Sequence, residues 1–490
     1  MSLSAGEQYL LELINRARLD PAAEAERYGV DLNDGLDAGT IGTDALQVLS
    51  PNSGLEDAAS THSEWMLDND SFSHSGSSGS NAGDRIQDDG YSLSGSWAWR
   101  ENLAWVGTTG TIDLEAAIEQ HHEGLYLSES HRVNTFATSM REIGIGQETG
   151  TFTYDGTTYN SSMLTENFAK SGTDVFVTGV AFDDIDGDAF YSIGEGRDDV
   201  WVKAGDTRVE TAAAGGYGIA VDAATDVTVQ VGVDERTLAT ISVDLSDGNA
   251  KVDLMTSEDG DRWLLLSAST DLGSGIARAE LLGVGDLDLI GSGEDNTLVG
   301  NSGDNVIRGH RGDDTIWGHD GDDTLRGDAG TDALYGGDGN DSIRGGGSED
   351  IVQGGLGNDS LRGGGQSDFL QGNQGNDTMR GGSGRDTLWG GQGDDRLDGQ
   401  RGNDQLTGGD GSDTFVFGDG RDLITDFEDD IDTIYIREEL GADGNLTYAE
   451  LMDLGEIRNG KAIFDFGGSD VLTIDNVSNL DLLVNDMVII

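Results

Sequence analysis

A chain of 490 residues is long for one domain, and ordinary domain sizes predict about three or four. Its 93 acidic and 28 basic residues leave a formal charge of −65, which disfavours nucleic-acid phosphate or an anionic membrane surface and favours cations as partners. Cysteine is absent and no apolar run reaches transmembrane length, so no disulfide framework or thiolate metal site forms, and stability must come from packing or oxygen-liganded ions. The chain starts at Met1–Gly6 with neither a basic start nor an apolar core, so no cleavable signal is read there. The 77 Gly against 2 Pro point to a repeat rather than a plain linker.

Ser4 precedes a helical pattern of Tyr9, Leu10, Leu13, Ile14 and Ala17. A second helix carries Leu55, Ala58, Ala59, His62, Trp65 and Met66. Short motifs come next in order: FSH at Phe72–His74, DRI at Asp84–Ile86, GY at Gly90–Tyr91 and ENLA at Glu101–Ala104. After them come GLYLSESHRVN at Gly124–Asn134, REIGIG at Arg141–Gly146 and TENFA at Thr165–Ala169. Five of the seven His precede Lys170, a concentration that suggests a site.

The order and content of these motifs, over residues 4–172, resemble the CAP superfamily (SCP/PR-1/Ag5) in its bacterial, cysteine-free form. The resemblance implies an α-β-α sandwich over residues 1–172. It also implies a central cleft in which two His and acidic partners can hold a divalent metal, and it places His74, Glu101 and His131 there. Imidazole and carboxylate suit zinc or a similar ion. The family's second Glu has no clear counterpart, and Asp84, His122 and Glu123 are the nearby substitutes. The alternative for the trio is a buried hydrogen-bonded network. His62, on a helix face, reads as a packed residue. His122-Glu123 does not begin an HExxH site, because Tyr126 stands where the second His belongs, and Gly76-Ser77-Ser78-Gly79 is a loop rather than a GxSxG elbow.

From 173 to 260 the chain alternates in β fashion, as in Val175–Phe182, Val200–Val202 and Tyr217–Val221, which predicts a small β-sandwich. This stretch resembles SdrD B-like or Cna-B-like modules of surface proteins. Within it Asp184, Asp186, Asp188, Ser192 and Glu195 stand at positions 1, 3, 5, 9 and 12 of an EF-hand-type loop, with Ala189 where Gly is expected. Calcium is one reading of this loop, and a solvated acidic turn is the other. Residues 261–290 are expected to be an entry cap or linker between the sandwich and the glycine-rich half of the chain.

From Gly291 to Val416 the sequence reads in nines, as 14 copies of GGxGxDxUx with U apolar. The first position is always Gly, and the eighth is always apolar, from Leu298 to Phe415. The sixth is Asp in twelve copies: Asp314, Asp323, Asp332, Asp341, Asp350, Asp359, Asp368, Asp377, Asp386, Asp395, Asp404 and Asp413; Asn296 and Asn305 are the exceptions. Gly permits sharp turns that expose carbonyl oxygens, and a carboxylate in each turn adds a hard ligand suited to calcium. The pattern resembles the RTX (hemolysin-type) calcium β-roll, which alternates six-residue turns with three-residue strands. That resemblance implies several calcium ions between turns n and n+2, a roll unfolded in the cytosol, and folding outside the cell. Fewer ions than gaps are expected, because Ser348 and Gln366 replace the fourth-position Gly.

In the C-terminal segment, residues 417–490, Asp422–Phe427 and Asp429–Ile436 alternate like closing strands, with Asp422, Asp426 and Asp432 as further candidate ligands. Asp486 before Met487, Val488, Ile489 and Ile490 resembles the uncleaved signal of type I secretion substrates; the alternative is a simple final strand. The expected protein is multidomain: an α-β-α sandwich, a small β-sandwich and a parallel β-roll with a C-terminal cap. It is expected outside the cell or on its surface, exported by type I secretion machinery and loaded with calcium. Its CAP cleft would bind a lipid or glycan, with zinc or another divalent ion as a candidate. A metal-dependent hydrolase or protease built on the same cleft, and a surface adhesin, are the alternatives.

Overall fold

The computed structural model describes residues 3–222, 226–441 and 444–490, and divides into two compact units, Met1–Gly285 and Asp286–Ile490. Met1 and Ser2, within the segment read for a leader, lie outside the described residues.

The N-terminal unit begins with helix α1, Ala5–Leu19. Ser4 caps it, accepting from the Glu7 amide while the Glu7 carboxylate accepts from the Ser4 amide, so two otherwise unmet N–H groups are satisfied. A four-stranded sheet comes next, in the order β1 (Ser50–Pro51), β3 (Glu142–Tyr154), β4 (Thr157–Lys170), β2 (Ala98–Thr108). β1 runs parallel to β3, and the other pairs are antiparallel. Successive strand residues point to opposite faces. On one face Ile143, Ile145, Leu164 and Phe168 pack with Leu10, Leu13 and Ile14 of α1, and with Ile118 and Leu125 of α5 (Leu114–Leu127). On the other face lies α3, Ser53–Asp68: Leu55 and Ala58 meet Ala169, and Met66 meets Leu103, Phe152 and Met163. The expected α-β-α sandwich is therefore present.

The glycines of the REIGIG motif are what let α3 lie on the sheet. A Cβ at Gly144 would stand 2.0 Å from the Leu55 carbonyl carbon, and one at Gly146 would stand 2.1 Å from the Ser60 nitrogen. Both would strike helix backbone, which cannot rotate away as a side chain can. Shorter helices α2 (Pro21–Arg27), α4 (Ala82–Asp88) and α6 (Glu129–Thr135) complete this part of the unit.

Beyond it, β5 (Val175–Asp183), β6 (Val200–Ala204), β7 (Thr207–Glu210), β8 (Gly216–Val221), β9 (Asp226–Val233), β10 (Arg236–Asp244), β11 (Ala250–Thr256), β12 (Arg262–Leu266), β13 (Thr270–Ser274) and β14 (Arg278–Leu281) make two sheets. Their orders are β14-β12-β11-β5-β8 and β13-β10-β9-β6-β7. The segment from 261, expected as an entry cap, instead supplies β12 to β14. Leu264, Leu265, Leu266 and Leu272 are buried in these sheets, and the unit closes at Gly285. Val180, Phe182, Tyr191, Met255 and Leu265 join the same apolar cluster as Leu10, Leu13 and Ile14 of α1, so the strand region and the helical sandwich share a core.

In the C-terminal unit each nonapeptide gives one parallel strand, and each strand pairs with that of the second repeat onward. Ile307, Leu325, Ile343, Leu361 and Met379 stack in one sheet; Ile316, Leu334, Val352, Leu370 and Leu388 stack in the other. All are buried and form the narrow core. Many strands run beyond the expected three residues, as in Val306–Arg311, because pairing continues into the first residues of the next turn. After the repeats, Arg421–Ile424 and Thr433–Ile436 extend the two sheets. Met487–Ile489 pairs in parallel with Thr433–Ile436, so the apolar C-terminal run is the last strand of its sheet.

Candidate functional site

The repeat aspartates form two ladders with an 18-residue period. Oδ1 of Asp314 accepts from the Asn296 amide at 2.8 Å, Oδ1 of Asp332 from the Asp314 amide at 2.9 Å, and the pattern continues to Asp413, which accepts from the Asp395 amide at 2.9 Å. Eighteen residues are two repeats, so the ladders link turns n and n+2. The second oxygen, Oδ2, is buried and without a hydrogen-bond partner in all twelve aspartates. An orphaned buried carboxylate oxygen is costly unless a cation meets it. The first-position glycine keeps the space beside it open. A Cβ at Gly336 would lie 2.0 Å from Asp341 Oδ2 and 2.6 Å from the Gly354 carbonyl oxygen, so carboxylate and main-chain oxygens converge on one spot. Hard oxygens so placed fit calcium. Burial raises these carboxyls, to about 7 at Asp314 and about 6 at Asp341.

The ladders run through the irregular repeats. Gln366 adopts a left-handed φ of 73° in place of glycine, and Oδ2 of Asp350 and Asp368 stays buried and orphaned like the rest. Asp422 and Asp432 continue the ladders by accepting from the Asp404 and Asp413 amides, whereas Asp426 has both oxygens engaged by the Gly408 and Gly409 amides.

In the 184–195 loop, ligand atoms of Asp184, Asp186 and Asp188 lie within 4.8 Å of one another. Ala189 takes φ 57°, the turn that glycine makes freely at the sixth position. Glu195 closes the loop, accepting from the Ile185 amide at 2.8 Å and the Ser192 amide at 2.7 Å, while Ser192 Oγ donates to Asp186 Oδ2. Burial raises the Glu195 carboxyl. A second trio, Asp429, Asp430 and Asp486, was not legible as a cluster, because 56 residues separate its last two members.

In the helical sandwich, strand alternation aims Glu101 of β2 toward α4 and Asn102 toward α6. Glu101 is buried and both its oxygens are engaged: Oε1 lies 2.7 Å from His74 Nδ1, and Oε2 accepts from Arg85 Nη2. Arg85 Nη1 also donates to the carbonyls of His74 at 3.2 Å and Ser80 at 3.1 Å. The Glu101 hydrogen bond raises the His74 imidazole above its ordinary value of 6.5, against burial. His131 is lowered by burial and then by His74. Asn102 donates to the His131 carbonyl at 3.3 Å and to Glu166 at 3.0 Å, and Asn134 donates to the Glu101 carbonyl and the Asn102 side chain. Burial pushes Glu166 up to about 7.

The sequence placed His74 and Glu101 together, and the structure does so too. It does not make His74, Glu101 and His131 a ligand set: among the described residues, the His, Asp and Glu groups with three ligand atoms within 4.8 Å are the two Asp trios. Arg85 and His74 consume the Glu101 carboxylate, so the donors present do not fit a divalent ion held by Glu101. None of the nearby substitutes completes a ligand set. Asp84 caps α4 in a reciprocal pair with Asn81, His122 bonds Glu24 at 3.0 Å, and Glu123 is exposed. His62 packs as expected, stacked on Trp65 at 5.7 Å with Nε2 on the Ser73 carbonyl. Arg85 and Glu166, which the sequence did not single out, lie within the DRI and TENFA motifs.

Residues 290–325, 326–361, 353–388, 362–397 and 389–424 match the RTX calcium-binding nonapeptide repeat, and residues 11–162 match the cysteine-rich secretory protein family, CAP. No curated protein matches the chain. Among solved structures, an extracellular protein containing an SCP domain from Bacillus anthracis is similar at 25% identity over 26% of this chain and 35% of that one, with TM-score 0.20. Extracellular lipase LipA from Serratia marcescens is similar at 21% identity over 40% of each chain, with TM-score 0.15. The chain thus spans well under half the length of either protein.

Proposed function

We propose, for a chain that carries a CAP domain at residues 11–162 and RTX calcium-binding repeats at 290–424, an extracellular protein that folds its roll on calcium and offers the CAP cleft to a lipid or glycan. The observation that carries the calcium half is the set of twelve buried, unpartnered Asp Oδ2 atoms. Export by type I secretion machinery is part of the proposal, supported by the acidic-then-apolar end at Asp486–Ile490.

In the cleft, the fixed Arg85–Glu101 pair orients His74 through Nδ1. The exposed ring then presents Nε2 to a ligand, as an acceptor when the imidazole is neutral and as a donor when it is protonated. This geometry suits binding more than hydrolysis. Among the described residues, the hydrogen-bonded His–Ser side-chain pair is His121 with Ser162 at 2.9 Å; both are buried, and burial lowers His121 to about 4. On glycan arrays and phospholipid overlays with the calcium-loaded full chain, His74→Ala is expected to weaken the wild-type hit about tenfold, as for a lost hydrogen bond. Binding by both His74→Ala and His131→Ala at wild-type strength would sink the cleft reading.

The 184–195 loop is assigned to calcium on the same terms, from the convergence of Asp184, Asp186 and Asp188 and the closure by Glu195. Calorimetric titration of Asp184→Ala is expected to show one bound calcium fewer than wild type. An unchanged stoichiometry would return the loop to a solvated turn.

A further inference from the structure

One sheet of the roll carries a column of arginines. Arg308, Arg326, Arg344, Arg362 and Arg380 follow the buried apolar residue in five alternate repeats and stand in register on adjacent parallel strands. They are five of the nine basic residues between Gly291 and Val416. Adjacent strands lie about 4.8 Å apart, so the column spans roughly 19 Å in single file. Asp328 pairs with Arg308 at the first rung. The next four arginines are exposed, and among the described residues none makes an ion pair. Like charges directly opposite on neighbouring strands destabilise a sheet. Acidic partners would be cheap to supply in a chain of charge −65.

The surrounding sequence is instead poor in acids here. Between Asn340 and Gln392 the only acidic residue outside the buried Asp ladders is Glu349, against Arg344, Arg362, Arg380 and Arg385. The exposed fifth position, Asp304 and Asp322 at the start of this sheet and Asp394 at its end, becomes Asn340, Asn358 and Asn376 in the middle. With calcium neutralising the ladders, this stretch is a basic stripe on an otherwise acidic molecule. A parallel column of hydroxyls, Thr324, Ser342, Ser360 and Thr378, stands two residues away in the same register and on the same outward face.

We propose that this face of the roll binds a linear acidic polysaccharide carrying about one charge per sugar ring. The guanidinium column takes the anionic groups one strand at a time, and the Ser/Thr column takes ring hydroxyls. Duplex nucleic acid fits less well: its charges come every ~1.7 Å of axis. Single strands are held largely by aromatic stacking, and the column's face offers hydroxyls instead.

The test uses the calcium-loaded full chain and chondroitin sulfate, which averages one charge per ring. Neutral dextran and single-stranded DNA serve as comparisons, and salt is varied. Wild type is expected to bind chondroitin sulfate, and to lose it as salt rises. The triple variant R344Q/R362Q/R380Q should bind at least ~10-fold more weakly, with a shallower salt dependence. R458Q, outside the column, should bind like wild type. If the triple variant loses its calcium-dependent strand signal, R362Q alone decides, with a loss of about threefold expected. Wild-type failure to bind, unchanged binding by the arginine variants, or equally tight DNA binding through the same arginines would overturn the proposal.

Discussion

Chelating calcium from the full chain is expected to abolish the strand signal of the roll while leaving the helical signal of the N-terminal unit. The roll buries one apolar side chain per nine residues, a core too thin to offset the ordering of its turns. It also stacks carboxylates whose Oδ2 atoms have no protein partner. Each bound ion adds about 2.7 kcal/mol when calcium is 100-fold above its dissociation constant, and many such sites make binding and folding one event. The ladder carboxyls also fix a pH signature. In the ion-free fold burial raises them, to about 6 at Asp332 and about 7 at Asp359, against 3.8 when exposed. The folded ion-free roll therefore holds more protons than the unfolded chain. Its stability is greatest below about pH 4 and is lost as pH rises through about 6 to 7. In chelator, acidification from pH 7.5 to 5 should restore part of the strand signal; with calcium present the sign reverses, because the ion needs the carboxylate form. Circular dichroism across this grid checks both arms. A strand signal in chelator at pH 7.5 equal to that in calcium would refute the account.

The roll was legible because its information is written fourteen times. The apolar column gives the strand, the Asp column gives the ladder, and a period of nine with pairing to the second repeat onward places each Asp above its neighbour. The CAP sandwich was legible through an ordered set of motifs, and His74 beside Glu101 followed from it. What stayed hidden depends on distant pairs. His122 looked available until Glu24, 98 residues away, took its Nε2. Arg85 reads like any arginine on a short helix until β2 brings Glu101 beneath it. Strands β12 to β14 were missed because the run Trp263–Leu266 is continuously apolar rather than alternating, a pattern that does not separate strand from helix or linker. Asp84 carried a readable signal: Asn81 three residues before it makes a capping pair, which removes it from the metal candidates.

Replacing Arg85 with Ala is expected to destabilise the N-terminal unit by about 3–5 kcal/mol, the cost of stripping one partner from a buried ion pair. The Glu101 side chain is 3% exposed, so water cannot take over the hydrogen bonds that Arg85 supplies. Glu101→Gln alone should also be costly, since it leaves a buried guanidinium that cannot shed its proton. The double variant R85A/E101Q removes both charges and should be more stable than the sum of the single losses allows, a coupling that a double-mutant cycle reads directly. His74 adds a further arm. In R85A it is the remaining cationic partner of Glu101, and it is also free of the Arg85 charge that lowers it in wild type, so its value is raised further above 6.5. Its support is therefore fully present below about pH 6.5 and fades as pH rises through the raised value. The R85A deficit should thus be smaller at pH 5.5 than at pH 8, measured by tryptophan fluorescence during denaturant unfolding in saturating calcium. Strict additivity in the cycle, with an R85A deficit independent of pH, would mean that the His74–Glu101–Arg85 contact does not hold this part of the N-terminal unit together.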